Sequence, residues 1–325
     1  MGFQFIQENF ETIGIRWSNL ELNSEDNHIF STLGWSRVWW KNLNTSSNLF
    51  LASILRDNLP IGIVPLRIDG DTARFIGSAN VCDYLDFIVK HGEEDDFYST
   101  LIGKLAEHSI KELVLVSVRQ DSTVITNLLE IAEQQKLKTR VQKEDVSFYL
   151  DLPATWDDYL GSIASKQRHE LRRKLRRVGE IGNLDFHTVT NPSQQEIEIF
   201  FKFFRESRED KSAFLTPTME SFFRELITTM AQGKYLKLNF LKLNDIPIAA
   251  TICFDYKDVV YLYNSGYNPD YNWLSAGLIS KALTIRDSIS KKKRRFDFLK
   301  GNEEYKHHLG GHILQLFQCS ISLPE

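Results

Sequence analysis

The stretch that decides the fold is residues 235–265, YLKLNFLKLNDIPIAATICFDYKDVVYLYNS. It contains three runs rich in apolar and β-branched or aromatic residues, 235–243, 248–255 and 259–265. A short polar turn separates each run from the next, at Asn244-Asp245 and at Lys257-Asp258. Short apolar runs bounded by such turns are typical of strands joined in hairpins. The stretch therefore predicts a meander of three antiparallel strands.

A similar stretch lies in the first half of the chain, where runs 49–56, 61–67 and 73–76 predict a second meander. Asp57-Asn-Leu-Pro-Ile-Gly62 aligns with Asn244-Asp-Ile-Pro-Ile-Ala249. A polar turn followed by proline at the start of a strand can recur by chance. The agreement of the strands that follow favours an internal duplication instead.

Helical and strand patterns alternate around both meanders. The pattern predicts a helix, a strand, a helix and a strand over residues 97–151, and a helix, a strand, a helical turn and a strand over 275–320. This order predicts an α/β (α+β) protein whose mixed, mostly antiparallel sheets are flanked by helices. We predict an N-terminal half over 1–151, a basic helical connection over 152–180 and a C-terminal half over 181–325.

Composition narrows the possible functions. The 325 residues include 39 Lys and Arg against 43 Asp and Glu, so the formal net charge of −4 requires no DNA partner. The three cysteines have no metal-ligand spacing, and we predict neither a disulfide framework nor a metal site. No apolar stretch approaches the roughly 18 residues of a transmembrane helix, and no signal peptide is evident. These features predict a cytoplasmic protein.

The first candidate site lies in residues 261–277, where a strand runs out at Gly266 and a helix begins at Ser275-Ala-Gly277. The first N–H groups of a helix have no partner within the helix, and they attract anions such as a pyrophosphate. The alternative is that Ser275 only caps the helix and that Gly277 packs against the sheet.

The second candidate is residues 165–177, SKQRHELRRKLRR, with seven Lys and Arg residues. Leu171 and Leu175 are spaced as one apolar stripe on a helix. Guanidinium groups bind phosphates through paired hydrogen bonds, which suits an anionic substrate. A solvated helix face is the alternative.

The third candidate is the segment 295–310, a strand that opens at Gly301 into a polar turn. Acyl transfer to an amine needs a base for the amine proton, and it often needs an acid for the leaving thiolate. Glu303, Glu304 and Tyr305 supply such groups where the strand ends. Asp297 lies between two phenylalanines, and its alternative role is as a structural partner for an arginine or a backbone N–H.

A fourth candidate, Asp83-Tyr-Leu-Asp86, ends the first meander. Strand alternation would place Asp83 and Leu85 on one face and Tyr84 and Asp86 on the other. The alternative is that these side chains cap a helix or turn.

Taken together along the chain, these segments resemble the GNAT-superfamily acetyltransferases associated with bacterial cellulose and exopolysaccharide biosynthesis. Those enzymes are similar to the Fem-type aminoacyltransferases. The matching pieces are Ser165-Lys-Gln-Arg-His-Glu-Leu-Arg-Arg173, Ile246-Pro-Ile-Ala-Ala250, Tyr263-Asn-Ser-Gly-Tyr267 with Ser275-Ala-Gly277, Phe296-Asp-Phe-Leu-Lys-Gly301 with Glu304-Tyr-Lys306, and Asp83-Tyr-Leu-Asp86. The resemblance implies two GNAT-like halves, with acetyl-CoA or another acyl-CoA bound in the second.

The resemblance and the residue chemistry together give a set of predicted site residues. The donor is predicted to contact Asn264, Ser265, Gly266, Leu274, Ser275, Ala276 and Gly277. The predicted catalytic groups are Asp86, Asp297, Glu303, Glu304 and Tyr305. The acceptor, placed in a groove between the halves, is predicted to contact Asp83, Tyr84, Lys166, Arg168, Arg172, Arg173, Lys300 and Lys306.

The expected activity is acyl transfer from acyl-CoA to an amine or hydroxyl of a small-molecule or glycan acceptor, such as a sugar, a nucleotide sugar or another precursor of the cell envelope or of polysaccharide. The glycine pair of the usual GNAT pyrophosphate pattern is absent before Gly277. An acyl carrier protein or an aminoacyl-tRNA is therefore an alternative donor. The alternative functions are a Fem-like aminoacyltransferase and a non-catalytic module that binds an anionic glycan or nucleotide.

Overall fold

The computed structural model describes residues 2–24 and 27–324. The chain forms two compact units, one of residues up to Val146 with residues from Leu314 onward, and one of Ser147–Ile313. The end of the chain, predicted within the C-terminal half, therefore groups with the first unit. The basic helix predicted as a connection lies inside the second unit.

The first unit contains a mixed sheet with helices around it. Its strands are β1 (Phe3–Glu8), β2 (Asn48–Arg56), β3 (Leu59–Asp69), β4 (Thr72–Phe75), β5 (Ile88–Val89) and β6 (Glu112–Arg119), with parts of β7 (Thr139–Asp151) and of the last strand, β13 (His312–Ser322). Its helices are α1 (Gly14–Asn23), α2 (Leu33–Leu43), α3 (Glu94–Glu107) and α4 (Leu129–Gln134), with a 3-10 turn at Ile29–Ser31 and a π-helical turn at Val124–Leu128. The strand order is β1-β2-β3-β4-β6-β13, and β5 pairs with β3.

The second unit repeats this plan. Its helices are α5 (Trp156–Ser162), α6 (Ser165–Ile181), α7 (Gln194–Ser207), α8 (Glu209–Phe214), α9 (Pro217–Gln232), α10 (Ala276–Ser290) and α11 (Glu304–His308), with a 3-10 helix at Pro269–Leu274. Besides the end of β7, its strands are β8 (Leu184–Val189), β9 (Leu236–Leu243), β10 (Ile246–Tyr256), β11 (Val259–Tyr267) and β12 (Arg295–Lys300). The strand order is β7-β12-β11-β10-β9-β8.

Both predicted meanders are confirmed, and their first turns have the same geometry. Asp57 and Asn58 have φ of 49° and 67°, and Asn244 and Asp245 have φ of 50° and 66°. Asn and Asp tolerate this left-handed conformation, which two-residue hairpin turns of type I′ require. The strand after each turn has one extra residue relative to its neighbour, at Ile61 and at Ile248 in the aligned position. This shared irregularity supports the internal duplication.

The third strand of each meander runs parallel to a strand that follows a helix. β4 pairs with β6 over three residue pairs, and β11 pairs with β12 over three residue pairs. The mixed, mostly antiparallel sheets predicted from the sequence are thus confirmed in both units. Each parallel pair is short and extends over only these three residue pairs.

Helix α7 illustrates how the second unit packs. Ser193 and Glu196 form a capping box at its start, in which each side chain bonds the backbone N–H of the other residue. The side chains of Phe200, Phe201, Phe203 and Phe204 are all buried and belong to the core. Across residues 2–24 and 27–324, no helix has the length and apolar character needed to cross a membrane.

Candidate active site

The candidate site is the gap between β11 and β12 in the second unit. Their pairing ends at Tyr261 and Asp297. Immediately afterwards β11 has a bulge, because Leu262 and Asn264 pair with consecutive residues of β10 and the register passes over Tyr263. A bulge bends a strand and increases its twist. We attribute the separation of the two strands to this bulge.

In the first unit, the chain itself fills the corresponding gap between β4 and β6. The N–H of Leu85 donates to the carbonyl of Ser117 on β6, at 3.1 Å. The side chains of Tyr84, Leu85 and Phe87 are buried there. The first unit therefore has no space for an extended ligand between these strands, and the two units differ at this position.

The predicted alternation of residues 83–86 is wrong, since this segment is not a strand and both Tyr84 and Leu85 are buried. The Tyr84 ring contacts the rings of His28 and Phe30, and the Arg119 guanidinium lies 5.1 Å from its centre. Tyr84 is a core side chain of the first unit, where a contact with an acceptor is not available to it.

Asp86 is a candidate base in the first unit. Burial raises the pKa of its carboxyl group to about 7, although hydrogen bonds from Ser122 and from the N–H of Phe87 and the charge of Arg119 act in the opposite direction. The Phe87 N–H lies 2.8 Å from Oδ1. A carboxyl group with this pKa exchanges protons near neutral pH.

The start of α10 lies directly after the 3-10 helix that follows β11. Ser275 stands at the N-cap position with φ of 57°, but its side chain makes no capping hydrogen bond. The N–H groups of Leu278 and Ile279 donate to the Ser275 carbonyl. The N–H groups of Ala276 and Gly277 then have no acceptor within the helix, which is the arrangement that binds anions.

Gly266, a predicted donor contact, packs against α7. A Cβ atom at this position would lie 2.4–2.6 Å from backbone atoms of Phe203 and Phe204. A Cβ atom at Gly277 would be less crowded, since it would lie 3.1 Å from the Tyr267 ring. The absence of a side chain at residue 266 thus lets the end of β11 lie directly on helix α7.

We expect Gly266→Ala to lower the free energy of unfolding by about 1–3 kcal/mol, because backbone atoms cannot move aside as a flexible side chain can. Urea denaturation would measure the change. The matched control is Gly179→Ala in α6, where a Cβ would meet nothing within 4 Å and alanine favours the helix. Equal stability of the two variants would contradict the close packing of β11 on α7.

Asp297 has a structural role in the bend of β12. Its side chain is buried, and Oδ1 accepts a hydrogen bond of 2.8 Å from the N–H of Leu299. Leu299 has φ of 64°, a conformation that costs energy for a residue with a Cβ. The carboxylate stabilises this conformation, as in the structural alternative considered for Asp297.

Lys306 also holds the end of β12. Its ammonium group is buried and donates to the carbonyls of Leu299, Lys300 and Gly301 at 2.6–3.0 Å. It also lies 2.9 Å from the carboxylate of Glu303. Three acceptors use all three donors of an ammonium group, so Lys306 fixes the turn and is not available to hold an acceptor.

The other acidic and aromatic candidates after β12 differ in exposure. The Glu303 side chain is 43% exposed beside Lys306, whereas that of Glu304 is 85% exposed and pairs with His308 at 3.1 Å. The Tyr305 ring is partly buried and contacts Phe298. Glu303 and Tyr305 are therefore less exposed to solvent than Glu304.

Two lysines that are not among the residues predicted from sequence lie at this site. Lys281 on α10 has its ammonium nitrogen 4.7 Å from the centre of the Tyr305 ring. Lys211 on α8 donates to the carbonyl of Ser265 on β11. Burial lowers the pKa of Lys281 to about 7 and that of Lys211 to about 8. The available signal was the single lysine in the otherwise uncharged stretch 276–285, AGLISKALTI.

The basic helix α6 packs beside the start of α10. Val178 belongs to one buried cluster with Ala276 and Ile279 of α10. Of the predicted acceptor contacts, Arg168 donates to the carbonyls of Leu160 and Gly161, and Arg173 pairs with Glu170. Lys166 and Arg172 are exposed. The helix presents a basic surface next to the candidate anion site.

The comparisons with known proteins concern the fold. Residues 165–307 match the family model described as an acetyltransferase (GNAT) domain. The fold is GNAT-like. The solved structure of FemX has a TM-score of 0.69 at 10% identity, covering 97% of this chain and 96% of that one. The predicted tandem GNAT-like fold is thereby confirmed.

Two further structures have the same fold. A tandem GNAT protein from the clavulanic acid biosynthesis pathway has a TM-score of 0.54 at 11% identity, with full coverage of both chains. The C-terminal domain of a protein described as a lysylphosphatidylglycerol synthetase from Agrobacterium fabrum has a TM-score of 0.59 at 9% identity, covering 96% of this chain and 92% of that one. No curated protein matches the sequence. At these identities the likeness concerns the fold alone.

Proposed function

We propose that the second unit transfers an acyl group from acetyl-CoA or another acyl-CoA to an amine or hydroxyl of a sugar, a nucleotide sugar or another precursor of polysaccharide or of the cell envelope. The observation that carries this proposal is the gap between β11 and β12, which opens next to the uncapped start of α10. An extended thioester arm fits between two separating strands, and its phosphates fit at a helix start.

The donor would lie along the end of β11. The backbone of Asn264–Gly266 follows the Tyr263 bulge, and its polar groups would bond the arm and the oxyanion that forms during transfer. Ala276 and Gly277 would bind the phosphates through their N–H groups, with Leu274 and Ser275 beside them. Holding donor and acceptor together in one orientation supplies much of the rate.

The acceptor would meet the donor where β12 ends. Of the acidic candidates in the second unit, Glu303 is the better placed to orient the acceptor, because Glu304 is exposed and paired with His308. Tyr305 would help to position the departing sulfur. Lys166, Arg172 and Lys300 are the predicted basic residues that would orient an anionic acceptor, since Lys306 is engaged with backbone carbonyls.

Acetyl-CoA binding and turnover test this proposal. We expect acetyl-CoA to raise the melting temperature of the protein, since a ligand that binds only the folded state stabilises it by mass action. We also expect thiol release from acetyl-CoA to accelerate in the presence of amino sugars. Longer acyl thioesters measured in parallel would define the acyl length. An unchanged melting temperature with every thioester would contradict the proposal.

The second candidate function is transfer of an aminoacyl group from charged tRNA. The exposed basic face of α6 favours it, because guanidinium groups bind a phosphate backbone well. The Arg177 guanidinium lies 5.2 Å from the ring of Trp273, an aromatic side chain that is 54% exposed. A donor activity that ribonuclease abolishes would favour this function. A non-catalytic module would instead bind the thioester without consuming it.

A further inference from the structure

Lys281 is a buried amine without enough hydrogen-bond acceptors for a charged ammonium group. Its residue is 9% exposed, and among the residues that the structure describes its nitrogen donates only to the Gly277 carbonyl, at 3.1 Å. An ammonium group has three donors, and leaving buried donors unpaired is costly. The neutral amine, which has two N–H donors and a lone pair, is better suited to this position.

The groups around Lys281 also disfavour a second positive charge. Lys211 of α8 and Lys306 of α11 repel it, whereas Glu303 before α11 and the Cys253 thiol of β10 act in the opposite direction. Burial is the largest influence, and together these effects bring the pKa to about 7. The Tyr305 ring, 4.7 Å away, offers a cation a favourable contact. The site therefore tolerates both the neutral and the charged amine.

Lys281 also lies where the proposed chemistry occurs. It is one helical turn after Gly277, at the start of α10 where the donor phosphates would bind. Lys211, whose positive charge acts on Lys281, donates a hydrogen bond to the carbonyl of Ser265, at the end of β11 that separates from β12. Tyr305, its aromatic neighbour, lies just after the end of β12. Lys211 and Tyr305, which lie beside the ends of the two strands, thus both act on this amine.

We propose that the Lys281 amine is the proton carrier of the acyl transfer. It takes the proton that the acceptor amine loses as its nitrogen bonds the thioester carbonyl carbon. The carbon–sulfur bond then breaks, and the ammonium of Lys281 returns the proton to the departing thiolate. The products are the amide and a free thiol, and Lys281 is again neutral. This role rests on the proposed acyltransferase function and names a catalytic group for it.

The test compares Lys281→Met with the wild-type protein, using acetyl-CoA and an amino sugar that the wild type acetylates. General base catalysis contributes about 10²–10⁴-fold, so kcat is expected to fall by about that factor. The melting-temperature shift with acetyl-CoA is expected to persist. In the wild type, kcat should rise with pH through about 7, and this rise should be absent in the residual activity of the variant.

Lys237→Met is the matched control, because Lys237 is also a buried lysine of the second unit but pairs with Asp255 at 3.0 Å. Asp255 keeps Lys293 as a partner in this variant, and kcat is expected to stay within a few-fold of the wild type. Full kcat in Lys281→Met with an unchanged pH profile would overturn the role of Lys281 alone. Absence of thioester binding and turnover in the wild type would overturn the proposed function and this role with it.

Discussion

Lys306→Met is expected to lower the free energy of unfolding by about 3–5 kcal/mol, as is typical when one member of a buried charged network is removed. The ammonium group of Lys306 bonds three consecutive carbonyls, from Leu299 to Gly301. Methionine fills a similar volume but donates no hydrogen bond, so these carbonyls lose their partner. The turn that carries Glu303 and Tyr305 would lose its support.

Urea denaturation of the purified variant measures this loss. Lys202→Met is the matched control, because Lys202 is exposed on α7 in the same unit and surface substitutions usually change stability by less than about 0.5 kcal/mol. If Lys306 instead contacted the acceptor, as the sequence predicted, the variant would keep its stability and show a raised KM. That outcome would contradict the structural role derived from its hydrogen bonds.

The meanders could be predicted from sequence because their signals are local. Turn residues such as Asn244 and Asp245 adopt positive φ readily, and their position between apolar runs is sufficient to place a hairpin. The alignment with Asp57 and Asn58 extends to the bulges at Ile61 and Ile248. A repeated local signal therefore predicted a repeated structure.

The grouping of the chain into units could not be predicted in this way. β13 pairs with β6 in the first unit, and Ser147–Asp151 of β7 pair with β12 in the second. These partners are far apart in sequence, and an apolar run does not specify which distant strand it will pair with. The boundaries at 151 and 181 were therefore placed where the pattern of elements changes, which is not where the packing changes.

For the candidate site, the sequence identified the segments better than the individual residues. The stretches around Gly266, Ser275 and Gly301 do lie at the ends of the separating strands and at the start of α10. Polar residues such as Asp297 and Lys306 were chosen by residue type, and the structure shows them bonded to backbone. Lys281 was missed because its altered proton affinity depends on burial and on Lys211, which only the folded chain brings near.

Lys281→Met is expected to stabilise the protein below neutral pH, which is unusual for the loss of a polar group at a candidate active site. Burial lowers the pKa of Lys281 from 10.5 to about 7. Below about pH 7 the lysine is charged in both the folded and the unfolded chain, so folding bears the full cost of burying the charge. Since one unit of pKa corresponds to about 1.4 kcal/mol, methionine is expected to raise the free energy of unfolding at pH 6 by up to roughly 5 kcal/mol.

The difference in the free energy of unfolding between Lys281→Met and the wild type should decrease as the pH rises. Between about pH 7 and 10.5 the folded protein holds a neutral amine while the unfolded chain still binds the proton, so the stability of the wild type increases with pH. Urea denaturation at pH 6 and pH 9 should show the difference between the two proteins falling to roughly half. The Lys237→Met control removes a lysine that is paired with Asp255, and it should lower stability at both pH values. A Lys281→Met variant that is less stable than the wild type at pH 6 would show that the buried amine is well accommodated as an ammonium, and it would remove the physical basis for proton transfer at this residue.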